Sequence, residues 1–117
     1  MVGLDLKGSD RLSGATERGV GADAVQAIKA VGDRTRLQIL RVLLQGEQCV
    51  TDIAQMLGLA QPRISHHLTI LRNSGLVLDR RKGKQIIYSV NPLFRTTHNG
   101  GSPAVQVDCL RVEFAEN

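Results

Sequence analysis

Apolar residues recur along the chain with two different periods, and the change of period marks its plan. Val25, Ile28 and Val31 return at every third position and predict a helix over residues 24–31, ended by Gly32. Leu37, Leu40 and Leu44, joined by Ile39 and Leu43, form a broad stripe on a second helix that Asp33 can cap and Gly46 stops. Val50, Ile53, Ala54 and Leu57 stand at i, i+3, i+4 and i+7 in a short third helix ending at Gly58. Ile64, Leu68 and Leu71 make the stripe of a fourth helix over residues 61–74, with Pro62 in its first turn, where proline is tolerated. From Gly75 the period falls to two. Ile86, Tyr88 and Val90 alternate with Gln85, Ile87 and Ser89, as in a two-stranded wing over residues 77–90 that turns at Lys82-Gly83.

This order of elements is mainly α with a small β-hairpin, the layout of a winged helix-turn-helix, here assigned to residues 24–92. Residues 1–23 hold five of the 12 glycines with only isolated apolar positions, and are expected to form a flexible tail. Residues 93–117 form a separate C-terminal segment, expected to serve dimerisation or sensing. Within it Val105, Val107 and Cys109 alternate, then Leu110, Val112 and Phe114 alternate in the opposite phase. A strand with a bulge near Cys109 fits this pattern and the β-branched content. A helix carrying Val107, Leu110 and Phe114 on one side is the alternative.

A chain of 117 residues suffices for one core. No apolar run approaches the roughly 20 residues that span a bilayer, and residues 1–23 have no hydrophobic signal-peptide centre. The expectation is a cytoplasmic protein without a membrane partner. Charge changes the picture more. Residues 60–84 carry six basic side chains, Arg63, Arg72, Arg80, Arg81, Lys82 and Lys84, against the single acid Asp79. Elsewhere nine basic residues face ten acidic ones, so the formal net charge of +4 sits wholly on the fourth helix and the wing. Such clustering is a footprint for a polyanion.

On a wheel of about 100° per residue, Ile64, Leu68 and Leu71 centre one face of the fourth helix, and Pro62, His66, Thr69 and Asn73 lie opposite. Arg63 and Ser65 flank the outer face, with Gln61 at its N-terminal end. The start of this helix is the part that meets base edges in a major groove. Gln and Arg suit bidentate contacts to adenine and guanine, and Ser or Thr contacts either base. Arg80, Arg81, Lys82 and Lys84 at the wing tip suit phosphates, which position the protein without specifying sequence. His67 projects to the core edge, where a packed, hydrogen-bonded structural role competes with a DNA contact. Double-stranded DNA is the favoured partner; RNA is disfavoured, since no exposed aromatic platform is present.

The residues Gly32-Asp33-Arg34-Thr35-Arg36-Leu37-Gln38-Ile39-Leu40, Cys49-Val50-Thr51-Asp52-Ile53-Ala54 and Ser65-His66-His67-Leu68-Thr69-Ile70-Leu71-Arg72-Asn73-Ser74-Gly75-Leu76-Val77 resemble the ArsR/SmtB family of winged helix-turn-helix repressors. The resemblance covers residues 24–92. It implies a homodimeric repressor on an inverted-repeat operator, released by an inducer that is often a metal or metalloid ion. It also implies a last helix where this chain carries a strand-like segment.

The departures bear on the inducer. Arsenic-sensing members open the third helix with Cys-Val-Cys-Asp; here Cys49 matches the first cysteine and Thr51 replaces the second. The Asp-x-His and later His pair of zinc-sensing members are lacking, and His98 lies in a glycine-rich loop. No resident cofactor is implied. Three readings of Cys49 and Cys109 stay open: small apolar residues, a thiol switch closed by oxidation, or soft-ion ligands. No CxxC pair suggests a zinc finger, and no structural disulfide is expected in a reducing compartment. An enzyme is disfavoured, because His66 faces outward with no acid to orient it towards a nucleophile such as Cys49. A winged-helix protein-interaction module without DNA binding is the nearer alternative.

Overall fold

The computed structural model describes residues 22–97, 101–107 and 110–114. Helices α1 (Ala22–Val31), α2 (Arg34–Gln45), α3 (Val50–Leu57) and α4 (Gln61–Asn73) are followed by strands β2 (Val77–Lys82) and β3 (Gln85–Val90). A short strand β1 (Gln48–Cys49) precedes α3. After β3 come a 3-10 turn over Pro92–Phe94 and strands β4 (Arg95–Thr97), β5 (Pro103–Val107) and β6 (Leu110–Glu113). Residues 1–21, most of the expected tail, lie outside the described residues.

The helix boundaries follow from the local chemistry read above. Asp33 takes an extended conformation and its carboxylate accepts the Arg36 backbone N–H at 3.0 Å, satisfying one of the orphan donors of α2. Gly58 sits at φ 67 and ψ 34, so the chain can leave α3 left-handed while Leu59 N–H still reaches the Ala54 carbonyl at 3.1 Å. That turn sets α4 against α3.

The core joins Ile39, Leu40, Leu43 and Leu44 of α2 to Ile53 of α3 and Ile64, Leu68 and Leu71 of α4, all nearly or fully buried. On α1 the expectation needs correction. Val25 is 37% exposed, whereas Ala27, Ala30 and Val31 are buried. The inward stripe of this helix is therefore rotated from the spacing of its large residues and made mostly of alanine, which allows close packing.

The wing is wider than a hairpin. Its sheet has the order β1-β3-β2, with Gln48 against Tyr88 and Cys49 against Ile87, so the start of α3 is tied to the wing. A two-residue strand carries no readable period, which is why the sequence shows only the hairpin.

The C-terminal strand reading holds, but the bulge near Cys109 gives way to a reversal of the chain. β5 and β6 pair antiparallel, with Val107 opposite Leu110 and Val105 opposite Val112. Partners across a hairpin closed by two residues have opposite parity, which explains why the alternation changes phase. Residue 109 itself lies outside the described residues. β4, unforeseen, completes a second sheet ordered β4-β5-β6, and Val105 and Val107 of its central strand enter the common core. The segment thus pairs within its own chain and packs on the helical domain.

Candidate nucleic-acid interface

The buried stripe of α4 fixes where its outer side chains stand. With Ile64, Leu68 and Leu71 held at 0% exposure, the residues Gln61, Pro62, Arg63, Ser65, His66, Thr69 and Asn73 are all exposed. The side chains expected at the DNA therefore share one solvent face of one helix. Several are already engaged. Gln61 Nε2 donates to Thr51 Oγ1 at 3.3 Å, bridging the two helices of the motif and leaving its carbonyl as an acceptor. Thr69 Oγ1 donates to the Ser65 carbonyl at 3.0 Å. An Arg63 guanidinium nitrogen lies 3.5 Å from Thr35 Oγ1 on α2, a long contact that leaves most of its fork free.

The wing carries its charge unevenly. Arg72 at the end of α4 pairs with Asp79 of β2 at 3.2 Å, which neutralises the one acid of the basic region and ties the helix to the wing. Arg80 pairs with Glu47, just before β1. Among the described residues no ion pair forms at Arg81, Lys82 or Lys84, all exposed. They surround Gly83, whose φ of 63 lets the chain turn between the paired Lys82 and Gln85. The uncompensated positive charge is thus confined to the tip, and a phosphate at Arg80 would have to compete with Glu47.

Sequence reasoning missed the supports of this face. Glu47, Thr51 and Thr35 contact it from other elements. Asn91 clamps the wing's return: its side chain donates to the Gly75 carbonyl at 2.8 Å and accepts Leu93 N–H at 3.0 Å. A polar residue before a proline was the only signal for Asn91, and Glu47 had none.

His67 is packed, as one of its two readings held, with 13% of its side chain exposed. It is not fully hydrogen-bonded: its buried Nδ1 has no partner and lies 4.0 Å from Asp33 Oδ1. Burial pushes the imidazole below its ordinary value of 6.5, against the pull of Asp33. Asp33 is itself held below 3.8, chiefly by the Arg36 N–H. In both cases the unfolded chain binds the proton more readily, so stability falls with acidification: first below pH 6.5 at His67, then below about 3.8 at Asp33. His67→Gln should flatten the dependence of the urea midpoint between pH 7.5 and 5.5; an unchanged slope would place that titration elsewhere.

Cys49 is buried at the junction of β1 and α3, 6% exposed, and its Sγ accepts from Gln85 Nε2 at 3.8 Å. Thr51 stands where a second thiolate would, and Cys109 lies outside the described residues. Among the described residues no group of three or more His, Cys, Asp or Glu side chains is gathered for a metal ion. A multi-thiolate metal site does not fit the donors described.

The family model for "Bacterial regulatory protein, arsR family" matches residues 33–78, the stretch from the α2 cap to the first residues of the wing. The HTH-type transcriptional regulator NmtR of Mycobacterium tuberculosis is 36% identical over 89 residues, 76% of this chain and 74% of that protein. This chain belongs to the ArsR family. It is a DNA-binding transcriptional regulator, not an enzyme. The arsenical resistance operon repressor of Escherichia coli K12 is 46% identical over 69 residues, which cover 58% of this chain and 59% of that repressor, less than two thirds of its length. A solution structure of the homodimeric winged helix-turn-helix DNA-binding domain of a possible ArsR-family regulator from Mycobacterium bovis superposes with a TM-score of 0.58 at 32% identity. It covers 78% of this chain and 76% of that one. The winged helix-turn-helix of the ArsR family is thus the fold of this chain.

Proposed function

We propose that this chain represses transcription as a homodimer on an inverted-repeat operator and is released from it by an inducer. The α4 helix of each protomer enters one major groove, half-sites lying about one helical turn apart. Gln61, Pro62, Arg63, Ser65, His66 and Thr69 face the bases, and Arg80, Arg81, Lys82 and Lys84 face phosphates. One observation carries the reading: the polar outer face of α4 is accompanied by a wing tip whose positive charge no carboxylate among the described residues offsets. Among the described residues no helix is long and apolar enough to cross a membrane, and a DNA-bound repressor of this kind works in the cytoplasm.

A gel shift with the chain's own upstream DNA tests the reading, run alone and with arsenite, Zn²⁺, peroxide or polysulfide. Retarded DNA that one of these agents releases is the expected result. Release lost in Cys49→Ser and Cys109→Ser assigns the switch to the thiols. No retardation of that DNA would overturn the proposal.

A further inference from the structure

The first side chain of the recognition face is held by the helix before it. Gln61 opens α4, Thr51 lies in the first turn of α3, and the Gln61 side-chain amide donates to the Thr51 hydroxyl at 3.3 Å. Both helices are fixed beneath this contact. Ile53 and Ala54 of α3 and Ile64 of α4 are buried in the shared core, and the left-handed Gly58 joins the two helices. Thr51 is a stiff anchor, since its β-branch restricts χ1 within a helix. Gln61 has three rotatable side-chain bonds and is exposed, so without an anchor its amide would have no fixed direction.

What stays free on Gln61 is chemically specific. An amide nitrogen carries two hydrogens. With one donated to Thr51, the side chain presents one acceptor, Oε1, and one donor, the second N–H. In the major groove adenine offers a donor at N6 beside an acceptor at N7. Guanine offers two acceptors, cytosine one donor, and thymine one acceptor beside a methyl group. Only adenine takes both free groups of Gln61. Thr51 is also the residue that stands in place of a second thiolate, so this position carries a hydrogen-bonding anchor for the recognition helix instead of a soft ligand. When DNA covers the contact, water no longer competes for the amide and the bond strengthens.

We propose that Thr51 is a positioning residue for DNA reading: by holding the Gln61 amide it sets Gln61 to read one adenine in each operator half-site. The inference rests on the operator-binding reading above and names a base that the operator must carry. A Gln61 already oriented loses less conformational freedom on binding than a free one. A rotated amide would turn its NH2 group to the groove, where guanine or thymine accepts, so the bond to Thr51 also acts against the wrong base.

Competition titrations by fluorescence anisotropy test it, using the full chain and its own upstream DNA. Each adenine of the half-sites is replaced by guanine, symmetrically and one position at a time, with its complement. Gln61→Ala should remove the adenine preference at one position per half-site, a preference of about fivefold or more in the wild type. Thr51→Val keeps the shape of the side chain without its hydroxyl, and should lower that preference about threefold or more while leaving the other positions unchanged. Thr51→Ser restores the hydroxyl and should return the preference to within about twofold of the wild type. In a Gln61→Ala background, Thr51→Val should have no further effect there. A merely structural role for Thr51 would weaken all duplexes alike and would persist without Gln61. Both side chains are exposed, so neither substitution opens the core. A Thr51→Val protein with the wild-type preference, or with the same loss in both backgrounds, overturns the positioning role, as does a Gln61→Ala protein that loses no adenine preference. Those results leave operator binding standing. Failure of the wild type to bind the upstream DNA overturns the operator reading itself, and this inference with it.

Discussion

Alanine at both Arg81 and Lys82 is expected to flatten the salt dependence of operator binding and to weaken it steeply, without changing which DNA is preferred. Each lost phosphate contact lowers the slope of log K against log salt by about 0.9. Two contacts per protomer therefore remove about 1.8, and a homodimer about 3.6. Extrapolated from 1 M salt, where the counterion contribution vanishes, that is roughly a thousandfold in affinity at 0.15 M. The ratio of operator to scrambled-DNA affinity should stay near that of the wild type, because phosphate contacts carry no sequence information. Arg81 and Lys82 suit this test because, among the described residues, neither has an internal ion pair to lose. Arg80→Ala would also release Glu47, and Arg72→Ala would release Asp79, so their effects mix stability with binding. Ser65→Ala and His66→Ala give the contrast: a modest loss concentrated on the operator, where each good base contact discriminates by about 1–3 kcal/mol. Titrations at several salt concentrations by fluorescence anisotropy check both. A salt slope untouched in the double variant would remove the wing from the DNA interface.

The helix-turn-helix was legible because each of its helices repeats an apolar stripe whose partners lie within the same 40-odd residues. Ile53 of α3 and Ile64, Leu68 and Leu71 of α4 end up in one buried cluster, as their spacing requires. Legibility failed where an element was too short to show a period, as with Gln48–Cys49 and Arg95–Thr97. It failed again where a partner is distant in sequence. Nothing near Arg80 announces Glu47, 33 positions away, and nothing in α2 announces that Arg95 will donate to the Leu44 carbonyl at 3.2 Å. The phase change between Val107 and Leu110 was visible but ambiguous, since a bulge and a two-residue reversal both shift parity. Only a neighbouring strand tells them apart, and the register of Val105 with Val112 supplies it. For the outer face of α4, the sequence placed the side chains but not their engagements with Thr51, Thr35 and the Ser65 carbonyl.

Leu68→Ala should cost the protein about 2–5 kcal/mol of folding stability, the other large effect expected here. Leu68 is fully buried in the middle of the inward stripe of α4, one turn from Ile64 and Leu71, which are equally buried. Truncation removes most of an isobutyl group and leaves a cavity that neighbouring helices close only in part. A domain of this size is stable by about 5–15 kcal/mol, so the loss is at least roughly an eighth of the total and, at its upper end of about 5 kcal/mol, a third or more. It should appear as a lower urea midpoint at unchanged m, and as a fall in melting temperature on the order of 10–20 °C. Leu93→Ala is the matched control: Leu93 is 84% exposed and its truncation should stay within about 0.5 kcal/mol. Where both variants are still folded, Leu68→Ala should keep the wild-type salt slope, since the tip residues Arg81, Lys82 and Lys84 are intact. Stability and phosphate binding are then separable properties of one motif, the first set by the inner stripe of α4 and the second by the turn around Gly83. A loss under about 1 kcal/mol in Leu68→Ala would mean that α4 is not anchored through this stripe, and the outward aim of Ser65 and His66 would need another cause.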